Sequence, residues 1–282
     1  MQLLEKGLKD NHNVILFSDM HFGSSFSSSG GFQQLIEQFS KTYKGCKTNY
    51  GMCGGDMIEA ITVDDKRFDF ESSDQSVPLQ QAHDAVKKLE PIKDKLLVVL
   101  QGNHEYKLAK FGDLAKEIAD NLKVPYGTYS CVMSIKDTQG KLMYKIFYTH
   151  GAGNISSAAD NTKRRNVNME LSLERFLRDK AGDCAVMVKA HSHKLIVSSP
   201  VNRLYLTSNE KIHKDYTKGI QNADFIEPEA RWYGCSGSFL RLYREGYSGY
   251  AERAGYNPSE LGYLILVVRD KKIISLDKVV IE

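Results

Sequence analysis

Short apolar runs in the first half of the chain alternate with segments in which apolar residues recur at helical spacing. Residues 14–17 and 95–100 are apolar enough to form buried strands. Residues 32–43, 82–89 and 108–122 carry the helical pattern. Alternation of strands and helices predicts an α/β fold built in layers.

The second half of the chain changes to a pattern of hairpins. Residues 131–151 form two strand-like runs around a turn, and residues 262–282 repeat that pattern. Between the hairpins, a helix is predicted with Asn168 as its N-terminal cap. Antiparallel strands are therefore expected beside the parallel ones of the first half.

Size and composition fit one soluble domain. The chain has 282 residues, of which 41% are hydrophobic and 26% charged, and it contains no internal repeat. We expect a single domain over residues 1–282, with residues 204–263 as an accessory aromatic and basic segment. The net charge of +3 neither requires nor excludes a polyanionic partner.

Cysteine usage and hydropathy indicate a reducing compartment. The five cysteines show no C-x-x-C spacing, as expected for buried, reduced thiols. The first residues lack the apolar core of a signal peptide, and no run approaches the roughly 18 apolar residues of a membrane span. The sequence therefore predicts a cytoplasmic protein without a membrane association.

Polar residues that bind metals follow five of the apolar runs. The segments are FSDMHFGS, MCGGDMIE, VVLQGNHEY, IFYTHGAG and VMVKAHSHK, and they supply Asp19, His21, Asp56, Asn103, His150, His191 and His193. Ligands in open α/β sheets gather at the carboxyl ends of strands, so these side chains are expected to meet in one place.

The ligand atoms in this set are imidazole nitrogens, carboxylate oxygens and an amide oxygen. Such a mixed set suits Mn, Fe, Zn, Ni or Co better than calcium, and it lacks the thiolates of a structural zinc site. It is too large for one catalytic ion. If one carboxylate bridges, it suffices for two ions roughly 3.5–4 Å apart, which would activate a water and polarise a phosphoryl oxygen.

The ordered motifs D-x-H, G-D-x-x-E, G-N-H-E, H and H-x-H resemble those of the calcineurin-like metallophosphoesterase superfamily. The resemblance implies two packed mixed sheets with helices on both outer faces, a four-layer sandwich. It also implies two divalent ions, with manganese favoured. By similarity, one ion is held by Asp19, His21 and His193, the other by Asn103, His150 and His191, and Asp56 bridges them.

The resemblance further assigns His104 as the group that stabilises or protonates the leaving oxygen. A leaving alkoxide is strongly basic, so a positioned imidazolium suits that role. Glu59 or Glu105 would orient the imidazole, and the sequence does not decide between them. One departure from the family pattern is Ala190, which stands where H-x-H is usually preceded by glycine.

Several basic residues near the motifs have two interpretations. Lys163, Arg164 and Arg165 lie in the run NTKRRN between two histidine motifs, so they form either a phosphate clamp or a solvated loop. Arg67 follows the second motif and either borders the site or forms a structural salt bridge with Asp65.

The segment 204–263 combines tyrosines and Trp232 with arginines. Aromatic side chains among arginines can stack nucleic-acid bases. They also form ordinary cores and subunit interfaces, so packing or homo-oligomer formation is the alternative. The segment resembles the tails of phage and bacterial members of the superfamily.

The sequence thus predicts a dinuclear metal-dependent phosphoesterase. The leading substrate is a phosphodiester, either DNA or RNA ends or nucleotides. The alternative is a phosphomonoester in a phosphoprotein or small metabolite, although the G-D-x-x-D-R-G motif of protein phosphatases is absent because Ala60 and Ile61 follow Glu59. A non-catalytic scaffold of the same fold is a third hypothesis, which the intact ligand set argues against.

Overall fold

The computed structural model describes residues 1–208 and 210–281 and contains two mixed sheets packed face to face. The larger sheet has six strands. In spatial order they are β1 (Gln2–Gly7), β5 (Ser130–Lys136), β6 (Leu142–Thr149), β7 (Val186–Lys189), β11 (Trp232–Ser236) and β8 (Leu195–Ser198). The neighbours β6, β7 and β11 run parallel, whereas β5 and β8 are antiparallel to the strands beside them toward the middle of the sheet.

The second sheet has five strands. In spatial order they are β13 (Lys272–Ile281), β12 (Leu261–Arg269), β2 (His12–Phe17), β3 (Asn49–Cys53) and β4 (Leu96–Val99). The strands β2, β3 and β4 are parallel, while β12 runs antiparallel to both of its neighbours. A separate antiparallel pair, β9 (Leu204–Thr207) and β10 (His213–Tyr216), lies outside both sheets.

In the part of the chain that the structure describes, six helices connect the strands. They are α1 (Ser29–Gln38), α2 (Pro78–Leu89), α3 (Asn103–Tyr106), α4 (Leu114–Leu122), α5 (Thr162–Leu177) and α6 (Tyr250–Arg253), with short 3₁₀ turns at Phe70–Ser72, Glu90–Lys95, Ala109–Phe111 and Pro228–Ala230. Among the described residues, no helix has the length and apolar character needed to cross a bilayer.

Strand β2 shows how the layers are built, because its side chains alternate between two apolar clusters. Val14 and Leu16 pack between the sheets, against residues of the six-stranded sheet. Ile15 and Phe17 point the other way and pack against α1, α2 and α4. A third cluster seals the outer face of the six-stranded sheet with Leu173 and neighbouring residues of α5. The predicted four-layer α/β sandwich is confirmed.

The predicted start of α5 is wrong. The helix begins at Thr162, and the Asn161 side chain accepts a hydrogen bond from the backbone N–H of Arg164 at 3.1 Å. This is an N-cap, and it places Asn168 within the helix rather than at its start. The polar run NTKRRN therefore forms the first turn of a helix and not a loop.

Candidate metal centre

The seven predicted ligands lie together where strands of both sheets end. The loops after β2, β3 and β4 come from the five-stranded sheet, and the loops after β6 and β7 from the six-stranded sheet. Since each set of strands is parallel, its carboxyl ends open at one edge. The residues brought together are Asp19, His21, Asp56, Asn103, His150, His191 and His193.

Five of these seven residues have left-handed backbone conformations. Their φ angles are positive at Asp19 (55°), His21 (51°), Asp56 (47°), His191 (69°) and His193 (49°). Such conformations are unfavourable for residues other than glycine and concentrate at functional sites, where the surrounding structure holds them. These loops therefore hold an unfavourable backbone conformation that directs the side chains toward one place.

The first group of ligand atoms comes from Asp19, His21 and His193. The Nε2 atoms of the two histidines are 3.2 Å apart, and Asp19 Oδ1 lies 3.1 Å from His193 Nε2 and 3.9 Å from His21 Nε2. Although close to His193, Asp19 Oδ1 is buried without a hydrogen bond of suitable geometry among the described residues. Burying a carboxylate oxygen without a hydrogen-bond partner costs free energy of folding, unless a cation binds the oxygen.

The second group comes from Asp56, Asn103, His150 and His191. The Asn103 amide oxygen lies 2.9 Å from His150 Nε2 and 2.5 Å from His191 Nδ1. Asp56 Oδ2 lies 3.3 Å from His150 Nε2 and 4.0 Å from His21 Nε2. One carboxylate thus reaches both groups.

The chemistry of these donors fits divalent cations. His150 Nδ1 lies 2.8 Å from the Gly54 carbonyl oxygen and donates to it, which directs Nε2 toward Asp56. Likewise, His21 Nδ1 donates to Glu59 Oε2 at 2.7 Å and presents Nε2 to His193. Partners of this kind on the outer nitrogen are typical of metal-ligating histidines.

The electrostatics of the cluster favour positive charge. Burial opposes ionisation of Asp56, but His150, His104 and His21 outweigh it and hold its pKa well below the usual value. Burial likewise opposes a charge on His21 and His150, yet Glu59 and Asp56 respectively lead the opposing effects, so that each histidine has a pKa of about 9. The carboxylates thus stay ionised and draw cations, whether protons or metal ions.

Neither predicted carboxylate orients His104. The His104 Nδ1 atom instead donates to the backbone carbonyl of Glu59, whose side chain faces His21. Burial, with His21 and Lys107 adding to it, lowers the pKa of His104 to about 4. Burial thus disfavours the charged form of this ring, and the leaving-group role of His104 stays a prediction.

Glu105 holds the loop that carries Asp56. Its carboxylate accepts backbone hydrogen bonds from Asp56 (3.2 Å), Met57 (2.7 Å), Ile58 (3.1 Å) and Gly102 (2.9 Å). Burial and the nearby Asp56 nevertheless raise its pKa to about 7. Glu105 thus holds the backbone of the loops that carry Asp56 and Asn103.

Gly102 allows the close approach on which the second group depends. A Cβ atom at this position would lie 2.0 Å from Asp56 Oδ1 and 2.2 Å from the Asp56 backbone nitrogen. The same Asp56 Oδ1 accepts the backbone N–H of His104 at 2.8 Å. Any larger residue would push the carboxylate out of place.

The cluster opens into a cleft of about 510 Å³, whose lining includes His104 and Arg67. Arg67 also pairs with Asp65, so both interpretations of that residue hold in part. The three predicted clamp residues 163–165 do not line this cleft. They sit on the first turn of α5, where Arg165 Nε donates to the Ala159 carbonyl at 3.1 Å.

Sequence reasoning missed the outer wall of the cleft. Its lining residues from the C-terminal part are Leu240, Arg241, Leu242, Gly249, Ala251, Gly255, Tyr256, Asn257 and Ser259, and Phe26 joins them. The only signal was the mixture of aromatic residues and arginines in the accessory segment. Nothing in that pattern indicated that the segment folds back over the strand ends.

The fold and the cluster define the class of the protein, an α/β sandwich whose strand ends present carboxylate, amide and imidazole metal ligands. A family model described as calcineurin-like phosphoesterase matches residues 12–219, which include all five motifs. The chain belongs to the calcineurin-like phosphoesterase family, and it is accordingly a hydrolase of a metal-dependent family that acts on phosphate esters.

Other comparisons are more distant. No curated protein matches the chain significantly. Among solved structures, a match is a conserved uncharacterised protein from Streptococcus pneumoniae TIGR4, a predicted phosphoesterase. It is 11% identical, with 95% of this chain and 97% of that chain covered and a TM-score of 0.33.

Proposed function

We propose that the protein is a dinuclear metal-dependent phosphodiesterase that acts on nucleic acid or nucleotides. The observation that carries the dinuclear assignment is the position of Asp56, whose Oδ2 lies 3.3 Å from His150 and 4.0 Å from His21. A single carboxylate at these distances suits a bridge between two ions. Asp19, His21 and His193 would hold one ion, and Asn103, His150 and His191 the other.

Divalent ions held there would polarise the phosphoryl oxygens and lower the pKa of a nearby water. The side chains of the chain itself supply orientation and proton transfer. Glu59 fixes the ring of His21, and Glu105 fixes the loop of Asp56. His104, whose Nδ1 is held by the Glu59 carbonyl, lies at the cleft. The negative charge of a bound phosphate would favour protonation of its other ring nitrogen, which would then donate that proton to the leaving oxygen.

The shape and charge of the cleft support a diester substrate. A phosphomonoester needs room for one substituent, whereas this cleft continues from the cluster to a second wall that includes Leu240, Leu242 and Tyr256. Its lining includes the cations Arg67, Lys194 and Arg241 but only one carboxylate, Glu59. A phosphodiester backbone carries negative charge on either side of the scissile phosphate, and these cations would attract it.

The remaining assignments are proposals of the same kind. The mixed N/O ligand set favours manganese, with Fe, Zn, Ni or Co as the alternatives. Residues 1–282 would act as one domain, in the cytoplasm. Self-association stays a prediction from the aromatic segment.

The test is hydrolysis of bis-p-nitrophenyl phosphate against p-nitrophenyl phosphate, after EDTA stripping and Mn²⁺ re-addition. We expect metal-dependent cleavage of the diester, with two ions per chain by elemental analysis. Cleavage of the monoester alone would replace the proposal with a phosphomonoesterase. If neither substrate is hydrolysed although metal is bound, the hypothesis of a non-catalytic scaffold would be favoured.

A further inference from the structure

Exposed aromatic side chains from two separate segments lie in or beside the lining of the cleft. They are Phe70 (83% exposed), Tyr243 (43%), Tyr247 (39%) and Tyr256 (45%), called here the aromatic rim. Tyr256 lines the cleft itself, and Phe70 belongs to the same 3₁₀ turn as the cleft-lining Ser72. Single exposed apolar residues are ordinary on protein surfaces, but one that lines the cleft, with three more in the adjoining segments, indicates a binding surface.

The rim is fixed in place by polar contacts. Arg253 Nη1 lies 2.9 Å from Asp69 Oδ2 and joins the two segments. The Tyr243 hydroxyl donates to the Tyr256 carbonyl, which ties the two ends of the outer segment together. An ordered surface binds flat groups at a lower entropic cost than a mobile one.

The rim continues away from the cluster into a second hollow of about 610 Å³. Tyr243, Arg244 and Tyr247 line this hollow together with Glu245 and Glu252, and the segment begins directly after the cleft-lining residues 240–242. The guanidinium of Arg244 lies 4.2 Å from the centre of the Tyr247 ring, and it donates to the neutral Ser25 carbonyl at 2.7 Å. A polymer could therefore extend from the metal cluster along both hollows.

Cations accompany the aromatic groups along this path. Arg241 and Lys194 line the cleft, and the Arg241 guanidinium donates to the neutral Ser28 hydroxyl at 3.3 Å. Because Glu245 and Glu252 line the second hollow beside Arg244, the excess of positive charge lies in the cleft, at Arg241 and Lys194. Alternating aromatic and cationic side chains complement a strand of bases and phosphates.

We propose that the aromatic rim binds single-stranded nucleic acid by stacking its bases, and so delivers a single strand rather than a duplex to the cluster. The proposal rests on the proposed phosphodiesterase function. Exposed base faces are available in a single strand, whereas a duplex already stacks its bases on each other. The segment 240–259 lies beyond the family match at residues 12–219, so this specificity belongs to the chain's own C-terminal part.

The experiment measures fluorescence anisotropy of a labelled oligo-dT strand and of a duplex of equal length, with the full chain in EDTA. We expect the single strand to bind at least about 10-fold more tightly. Phe70→Ala and Tyr256→Ala should each weaken its binding about 5- to 100-fold. Tyr216→Ala is the matched control, because Tyr216 is 55% exposed on β10 and does not line the cleft.

Equal affinity for duplex, or wild-type affinity in both rim variants, would overturn the proposal. Phe70 is so exposed that its removal leaves the core intact, and thermal melts monitored by circular dichroism verify that both variants are folded. Binding without metal is independent of turnover. If the wild-type protein binds oligo-dT but does not hydrolyse bis-p-nitrophenyl phosphate with Mn²⁺, only the phosphodiesterase proposal is refuted. If it hydrolyses the diester but does not bind the strand, only the proposed role of the aromatic rim is refuted.

Discussion

At the scale of single residues, Asp56 is the side chain on which both ligand groups depend. Asp56→Asn should lower the metal content of the protein and reduce turnover by at least about 100-fold, because a neutral amide is a poorer bridge between two cations. Elemental analysis and diester hydrolysis with Mn²⁺ measure the two effects. Asp120→Asn, at an exposed aspartate that pairs with Lys116, should change neither. Full activity with two bound ions would show that Asp56 does not bridge.

His104 should separate proton transfer from metal binding. In His104→Ala the backbone N–H that bonds Asp56 Oδ1 is retained, so the metal content should stay unchanged. Turnover should fall about 10²- to 10⁴-fold on diesters with basic leaving groups and much less on p-nitrophenyl esters. His83→Ala, at an exposed histidine of α2, serves as the control. Loss of metal in His104→Ala would refute the proton-transfer role.

The sequence identified the candidate ligands because each follows an apolar run in a recognisable order. It could not assign the partners of His104, since the Glu59 backbone carbonyl leaves no trace in a pattern of side chains. The same limit applies to Glu105, because three of its four backbone contacts come from residues 56–58, which are distant from it in the chain. Spacing thus predicts what converges on a site but not which atoms face each other.

At the scale of elements, a strand or helix could be predicted from the sequence when its buried side chains recur at a regular spacing. The strands β2 and β12 were evident, because nearly all of their side chains are buried. Strand β1 was missed because nearly all of its residues are exposed, and it is held by backbone pairing with β5. Pairing of that kind produces no apolar periodicity.

The first residue of β2, His12, makes stability depend on pH. Its ring is fully buried, with Nδ1 bonded to the Lys9 carbonyl and Nε2 to the Tyr144 hydroxyl at 2.6 Å. Burial, reinforced by Arg269, lowers its pKa from 6.5 to about 4. Between pH 6.5 and 4, His12 is protonated in the unfolded chain but neutral in the folded chain. The free energy of unfolding is therefore unaffected by His12 above pH 6.5 and falls as the pH is lowered toward 4.

The loss attributable to His12 should be about 3 kcal/mol over that interval. Urea unfolding of the wild type and of His12→Gln, at several pH values from 4 to 7, measures it. The free energy of unfolding of the wild type should fall more steeply with acid than that of the variant, and the other titrating groups cancel in the difference. Parallel pH profiles would show that His12 is not responsible.

At the scale of the whole molecule, the two sheets share the work of building the site. The five-stranded sheet supplies the Asp19, Asp56 and Asn103 loops, while the six-stranded sheet supplies those of His150 and His191. The cluster therefore exists only when the sheets are packed together. The C-terminal part contributes to both sheets, since β11 lies between β7 and β8 and β12 lies between β13 and β2.

This arrangement predicts that a chain ending at residue 219, where the family match ends, will not fold. It lacks β12, whose buried Leu264 and Leu266 cover the inward side chains of β2 in the core between the sheets. Gel filtration and thermal melts monitored by circular dichroism should show no cooperative transition, whereas the full chain should unfold in one. As the control, a short Gly/Ser loop replaces β9, β10 and the residues between them. Because these two strands lie outside both sheets, that chain should still unfold cooperatively. A cooperative transition in the chain that ends at residue 219 would mean that residues 1–282 are not one domain.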